Sequence, residues 1–236
     1  MGWIHNEGLI GAGSLLVMWH KQMFQCESHV MGTGFIAMFG LHNKTNLRCV
    51  VVNVYATCNL KDKVALWEDV MILKSANQDW AWFLCGDFNA VRCASERKGV
   101  GERGIQKNEI IGFNIFIESN SLVELPLVGK KYTWYKANGT TKSRLDRVLV
   151  SNDWLRKWPM AKQYILPREV SYHYTIVVKC LIKDWGPRPF KTIDAWMMEP
   201  GFKEMVRSKW HSYVVHSDNI TKLRDKLKCL KMDLKV

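Results

Sequence analysis

Apolar residues follow two rhythms along this chain. Short runs rich in Val, Ile, Tyr, Phe and Trp, bounded by Gly, Asn and Asp, read as strands. They fall at residues 14–19, 34–41, 47–55, 80–85, 132–135 and 144–150, with one more at 174–182. Two segments instead keep the 3/4 spacing of a helix face. Residues 61–76 align Val64, Trp67, Val70, Met71 and Lys74, and residues 108–120 align Ile110, Phe113, Phe116 and Ile117. Strands and helices in this mixed order predict an α+β protein, with sheets packed face to face and helices outside. Beyond Pro187 the texture changes. Residues 188–199 read as an extended linker, and 202–215 and 219–236 as helices. In the last of these Leu223, Leu227, Leu230 and Leu234 form a heptad-like seam among lysines and aspartates.

Composition fits that picture. With 236 residues, 47% hydrophobic and 24% charged, the chain can bury a core as one large domain, or as a domain with an appendage. The longest early apolar run, residues 9–19, is about half a membrane span and lacks the basic flank and cleavage site of a secretory signal. These features predict a soluble protein without a transmembrane segment. Seven cysteines (Cys26, Cys49, Cys58, Cys85, Cys93, Cys180 and Cys229) contain no CxxC pair. Most sit in strand-like surroundings and read as buried, reduced thiols, which points to an intracellular compartment. The net charge of +12 is concentrated over residues 130–147 and 222–235. Such a surface suits a polyanion, nucleic acid above all, or else serves solubility.

Three stretches carry chemistry. In FLCGDFN, residues 83–89, an apolar strand ends in Gly86 and then presents Asp87 and Asn89. Residues i and i+2 of an extended chain share a face, so a carboxylate and a carboxamide point together. The Asp can deprotonate a water while the Asn donates to a phosphate oxygen, a pairing suited to phosphodiester cleavage. The same pattern also suits a plain turn. Asn53-Val-Tyr55 ends another strand and offers a phenol as donor. Residues 129–151, GKKYTWYKANGTTKSRLDRVLVS, read as a hairpin turning at Asn138-Gly139. Inside its second strand Asp146 needs a partner, since an unpaired charge in a sheet is costly. Lys131, Trp134 and Arg144 offer cations for a nucleic-acid backbone and a ring for a base. Later, VSYHY places His173 between two tyrosines just before an apolar run.

The order NVY, GDFN, TW…SRLDRVLVS and S-x-H resembles that of the endonuclease/exonuclease/phosphatase superfamily. The phrases GAGSLLVMW, GDFNAV, LPLVGKKYTWY, SRLDRVLVS and RPFKTIDAWMMEPGFKEMV are similar to those of the endonuclease domain of plant non-LTR (LINE-type) retrotransposons. The resemblance implies a four-layered α/β/β/α sandwich, deoxyribonuclease I-like, over residues 1–185. It implies a linker and helical segment over 186–236, leading toward a reverse transcriptase. It also implies Mg²⁺-dependent cleavage of DNA and work in the nucleus. Asp87 would then activate the attacking water, with Asn89 orienting the phosphate and Tyr55 contacting it. Asp146 would hold the ring of His173, which faces the scissile phosphate.

Two departures from the family pattern bear on activity. Where the family reads Ser-Asp-His, this chain has Ser171-Tyr172-His173, and a phenol supplies no carboxylate to a metal ion. The family's first strand, helix and metal-binding Glu strand have no counterpart after Met1. Glu7 is a remote substitute without the family's Thr-Lys context. The expectation is an incomplete metal site and cleavage that is absent or strongly impaired, each lost acid/base group costing ~10²–10⁴ in rate. The alternative is a basic nucleic-acid-binding remnant without catalysis.

Overall fold

The structure is a computed structural model that describes residues 1–6, 14–99, 107–167, 171–180, 194–214 and 219–234. Close contacts divide the chain into two compact units, Met1–Ile182 and Lys183–Val236. In the first unit the hairpin β1 (Gly2–Asn6) and β2 (Leu15–Trp19) precedes three long strands, β3 (Phe24–Gly32), β4 (Phe35–His42) and β5 (Leu47–Tyr55). Helix α1 (Leu60–Ser75), β6 (Ala81–Asp87), β7 (Arg97–Lys98), α2 (Lys107–Ser119), β8 (Leu122–Glu124) and β9 (Leu127–Val128) follow. Then come β10 (Trp134–Tyr135), β11 (Lys142–Ser143), β12 (Asp146–Ser151), α3 (Asn152–Lys157), β13 (Ala161–Ile165) and β14 (Ile176–Cys180).

A six-stranded sheet ordered β3-β4-β5-β6-β12-β8 forms the centre. Its strands are antiparallel except for the β5–β6 pair, which α1 connects. Strict alternation gives this sheet two apolar faces. Val50, Val52, Val54, Trp82, Leu84 and Leu149 pack under the helices, where Trp67 of α1 meets Phe113 of α2 at 5.4 Å. Met38, Cys49, Val148 and Val150 face the other way. Over that second face lie two separate pieces, the β1–β2 hairpin and a three-stranded sheet ordered β14-β13-β9. Helix α1 begins where the Asn59 side chain accepts from the Lys61 N–H, a cap that contributes about 1 kcal/mol. Ser151 closes β12 and starts α3, its Oγ accepting from the amides of Trp82 and Trp154.

The expected α+β sandwich is present, with differences in detail. Asp146 stands at the first position of β12, at the strand's mouth, not within it. Strand β3 escapes a pattern-based reading because it is the sheet's edge and most of its residues are exposed. The hairpin is short, and β11 pairs onward to β7. Of the cysteines, Cys49 is buried but Cys58, Cys93 and Cys180 are exposed, against the expectation of mostly buried thiols.

The second unit holds α4 (Asp194–Met198), α5 (Phe202–Ser212) and α6 (Asn219–Asp233). Helix α4 falls in the stretch expected to be extended, with Trp196 packed 5.9 Å from Phe202. Helices α5 and α6 are tied by Tyr213 Oη donating to Asp233 at 2.7 Å and by the Lys209–Asp233 ion pair at 3.2 Å. Leu223 and Leu227 of the leucine seam are exposed, whereas Leu230 and Leu234 are half-buried. Among the described residues no helix is long and apolar enough to cross a membrane.

Candidate active site

Three of the expected residues lie in one row across the central sheet. Tyr55 is in register with Asp87 across the parallel β5–β6 pair, and Asp146 is in register with Asp87 on the other side. Aligned residues on neighbouring strands project to the same face, here the one away from α1 and α2. Gly86, just before Asp87, has φ of 136°, and a Cβ there would come within 2.0 Å of the Val54 carbonyl oxygen. Only glycine lets β6 pass β5 at this point.

Beyond Asp87 the chain turns sharply. Asn89 sits in the left-handed region at φ 48° and donates its amide N–H to Asp87 Oδ1 at 2.9 Å. Its carboxamide donates to the Ala56 carbonyl at 2.9 Å, and its own carbonyl accepts from Lys63 Nζ at 2.6 Å. Lys63 is itself buried and paired with Glu109 at 3.0 Å, so α1 and α2 together grip the loop. Sequence reading missed this pair. The available signal was a lysine four residues before Trp67, on the apolar stripe of α1.

His173 closes the group from a different segment. Backbone bonds join Tyr135 N–H to the Tyr172 carbonyl and Tyr174 N–H to the Thr133 carbonyl, laying the histidine against Trp134. His173 Nδ1 lies 2.9 and 3.1 Å from the two oxygens of Asp146, and Nε2 lies 3.8 Å from Asp87 Oδ2. The imidazole thus stands between two carboxylates. Burial pushes the Asp87 carboxyl up to about 6, with the negative charge of Asp146 adding to the rise. For His173 burial acts to lower the pKa, but the hydrogen bond and charge of Asp146, with Asp87, outweigh it and hold the ring above its ordinary value.

The other expected residues are placed as follows. Tyr55 is exposed beside Asp87. Trp134 is half-buried and Lys131 exposed on the same hairpin. Arg144 turns inward, pairing with Glu124 at 2.5 Å and Glu96 at 3.9 Å. There it joins the fully buried Arg147, which bonds both glutamates, and Arg92. Its guanidinium is therefore engaged within the fold. Tyr172 is exposed and brings no carboxylate to the cluster. Glu7 lies outside the described residues.

Around the root of the hairpin the rings of Tyr132, Tyr135 and Tyr174 meet edge to face at 6.4 and 5.4 Å. Lysines interleave them: Lys130 Nζ donates to Tyr174 Oη at 2.8 Å, and Lys142 lies 5.7 and 5.5 Å from the other two rings. Of the hairpin's aromatic residues, the sequence marks only Trp134 as a stacking ring.

Ligand atoms of Asp87, Asp146 and His173 lie within 4.8 Å of one another, close enough to hold a metal ion. A hard cation such as Mg²⁺ takes one or two carboxylates and keeps several waters. Asp87 and Asp146 fit that need, and a cation would relieve the repulsion that helps to raise Asp87. The imidazole would favour a softer ion.

Residues 62–173 match the model of the Endonuclease/Exonuclease/phosphatase family, a stretch that opens in α1 and closes on His173. Over that stretch, just under half of its length, the chain carries the pattern of that family. No curated protein matches the sequence. Among solved structures, the endonuclease domain of TRAS1, a telomere-specific non-LTR retrotransposon, is 14% identical with a TM-score of 0.51, over 78% of this chain and 82% of that one. An endonuclease/exonuclease/phosphatase family protein from Bacteroides thetaiotaomicron is 15% identical with a TM-score of 0.50, over 75% and 74%. Beta toxin from Staphylococcus aureus is 16% identical with a TM-score of 0.44, over 63% of this chain and 57% of the toxin structure, under two thirds of its length. At these identities the first two likenesses establish the fold of an endonuclease/exonuclease/phosphatase protein and nothing narrower.

Proposed function

We propose that this chain is a retroelement-derived, endonuclease-like phosphodiesterase acting on DNA, strongly impaired in cleavage. Residues 1–185 would carry the nuclease and 186–236 a linker and helical segment, on the way to a reverse transcriptase in the parent element. The nucleus, where its substrate lies, would be its compartment. The observation that carries the reading is the imidazole of His173 held by Asp146 and aimed at Asp87. Asp87, ionised above about pH 6, takes a proton from water. Protonated His173 donates from Nε2 to the phosphate oxygens as charge gathers on them, and Asp146 keeps it charged. Asn89 fixes Asp87 through its amide, while Tyr55 stands in the same row to meet the phosphate. Mg²⁺, held through Asp87 and Asp146, would supply further charge stabilisation when bound.

Impairment follows from Tyr172, whose phenol replaces the carboxylate that the motif resemblance implies. A rate at least ~10²-fold below that of a complete site is expected. Nicking of supercoiled DNA with Mg²⁺, compared with Asp87→Ala and His173→Ala, tests the proposal. Slow nicking that both variants abolish supports it, and nicking that survives both removes it. The pH profile should rise through about pH 6 and fall as His173 loses its proton.

The tyrosine–lysine strip favours a second reading, DNA binding without cleavage. Retention of DNA that weakens steeply with salt, with no nicking at any pH, would select it.

A further inference from the structure

The Asp146–His173 pair is assembled from two segments that meet nowhere near each other in sequence. One residue touches both. Thr133 is completely buried. Its N–H donates to the Ser143 carbonyl at 3.0 Å, and its carbonyl accepts from the Tyr174 N–H at 2.8 Å. Its side-chain Oγ1 accepts from the amides of Leu145 at 2.9 Å and Asp146 at 3.0 Å. The backbone of Thr133 thus fixes the segment bearing His173, and its hydroxyl fixes the start of β12, which bears Asp146.

We propose that Thr133 is a positioning residue, whose hydroxyl oxygen sets Asp146 against Nδ1 of His173 and so leaves Nε2 turned toward Asp87. The proposal rests on the reading of Asp146 and His173 as the working pair. A hydroxyl oxygen has two lone pairs, and both are used here by backbone donors. Valine has nearly the same shape but no acceptor. It would leave two amides in a dry interior without partners, and the turn would move to find them. The Asp146 carboxylate rides on that turn, and its 2.9 Å contact with Nδ1 weakens steeply as distance and angle drift. Serine keeps the oxygen and loses only a methyl group.

Nuclear magnetic resonance of the isotope-labelled full chain, free of added metal, reads this without any turnover. In the unaltered protein the His173 Nδ1 proton, bonded to Asp146, should appear far downfield and exchange slowly with water. The Leu145 and Asp146 amides should also exchange slowly. Thr133→Ser should keep the Nδ1 signal, and Thr133→Val should lose it while circular dichroism still reports a folded chain. Leu122→Ala, a core change under the helices, serves as a control for general loosening and should keep the signal. A folded Thr133→Val that retains the signal overturns the proposal, as does its loss in Leu122→Ala. Should Thr133→Val fail to fold, fast exchange of the two amides in the unaltered chain, or loss of the signal in Thr133→Ser, overturns it instead. A chain that never nicks DNA but shows the expected signals would remove the cleavage proposal and leave Thr133 in its role.

Discussion

The two faces of the central sheet are finished differently. Under α1 and α2 the apolar residues form one continuous cluster, from Phe35 and Val50 through Trp82 to Phe113 and Phe116. On the opposite face, the hairpin β1–β2 and the small sheet of β9, β13 and β14 leave space. A cavity of about 380 Å³ opens there among Val17, Trp19, Val51, Phe83, Trp158 and Val178. A second, of about 340 Å³, shares Phe83 and Val178 and reaches Asp146 and Tyr174. Dense packing gives the helix face most of its hold on the fold, because voids forfeit dispersion contacts along their walls. Asp87, Asp146 and His173 stand at the end of the looser face. This molecule separates the job of staying folded from that of presenting carboxylates and an imidazole.

Mutations on the two faces should separate those jobs. Phe113→Ala, on the helix side, should cost about 3–5 kcal/mol in urea unfolding, whereas Phe83→Ala beside the cavities should cost about half as much. Equal costs would erase the contrast. Next in size, Lys63→Met strands the buried Glu109 charge and should cost about 3 kcal/mol, also loosening the Asn89 loop. Asp87→Asn works in the other direction. A carboxyl raised to about 6 in the folded chain contributes stability below about pH 3.8 that is lost as pH rises through 6. The variant should therefore be about 1–3 kcal/mol more stable than the parent at pH 7, with the advantage vanishing near pH 3. Thermal melts at the two pH values decide it, and an unchanged midpoint at pH 7 would count against a buried, ionised Asp87. The smallest effect is expected from Val178→Leu, which fills part of the open space and should add about 0.5 kcal/mol.

Much of this was legible in the chain itself, for reasons particular residues make plain. Asp87 and Asn89 announce themselves because a strand-end glycine followed by Asp-x-Asn is a local pattern. Asp146 was marked by its misfit in an apolar strand, and the structure supplies His173, the partner that this misfit demanded. Long-range arrangements were not legible. The pairing of Lys63 with Glu109 and the gathering of Arg92, Arg144 and Arg147 around Glu96 and Glu124 join residues far apart in sequence. No local rhythm encodes them. Arg144 looked like a surface cation because the residues leading up to it are polar, yet the fold turns it inward. Helix α4 was hidden by the prolines on either side, and β3 by its exposed edge.

Strand β12 opens with Asp146 and then Arg147, two opposite charges on consecutive residues. One serves the imidazole on one face, while the other lies fully buried against two glutamates and the ring of Phe113 on the other. A slip of one residue in the pairing with β6 would exchange them. A guanidinium would meet the imidazole, and a lone carboxylate would face two glutamates in the dry interior. The second outcome gathers like charges in a dry interior, so charge as well as apolar packing holds this register. Two neighbouring charges thus fix which way the strand faces.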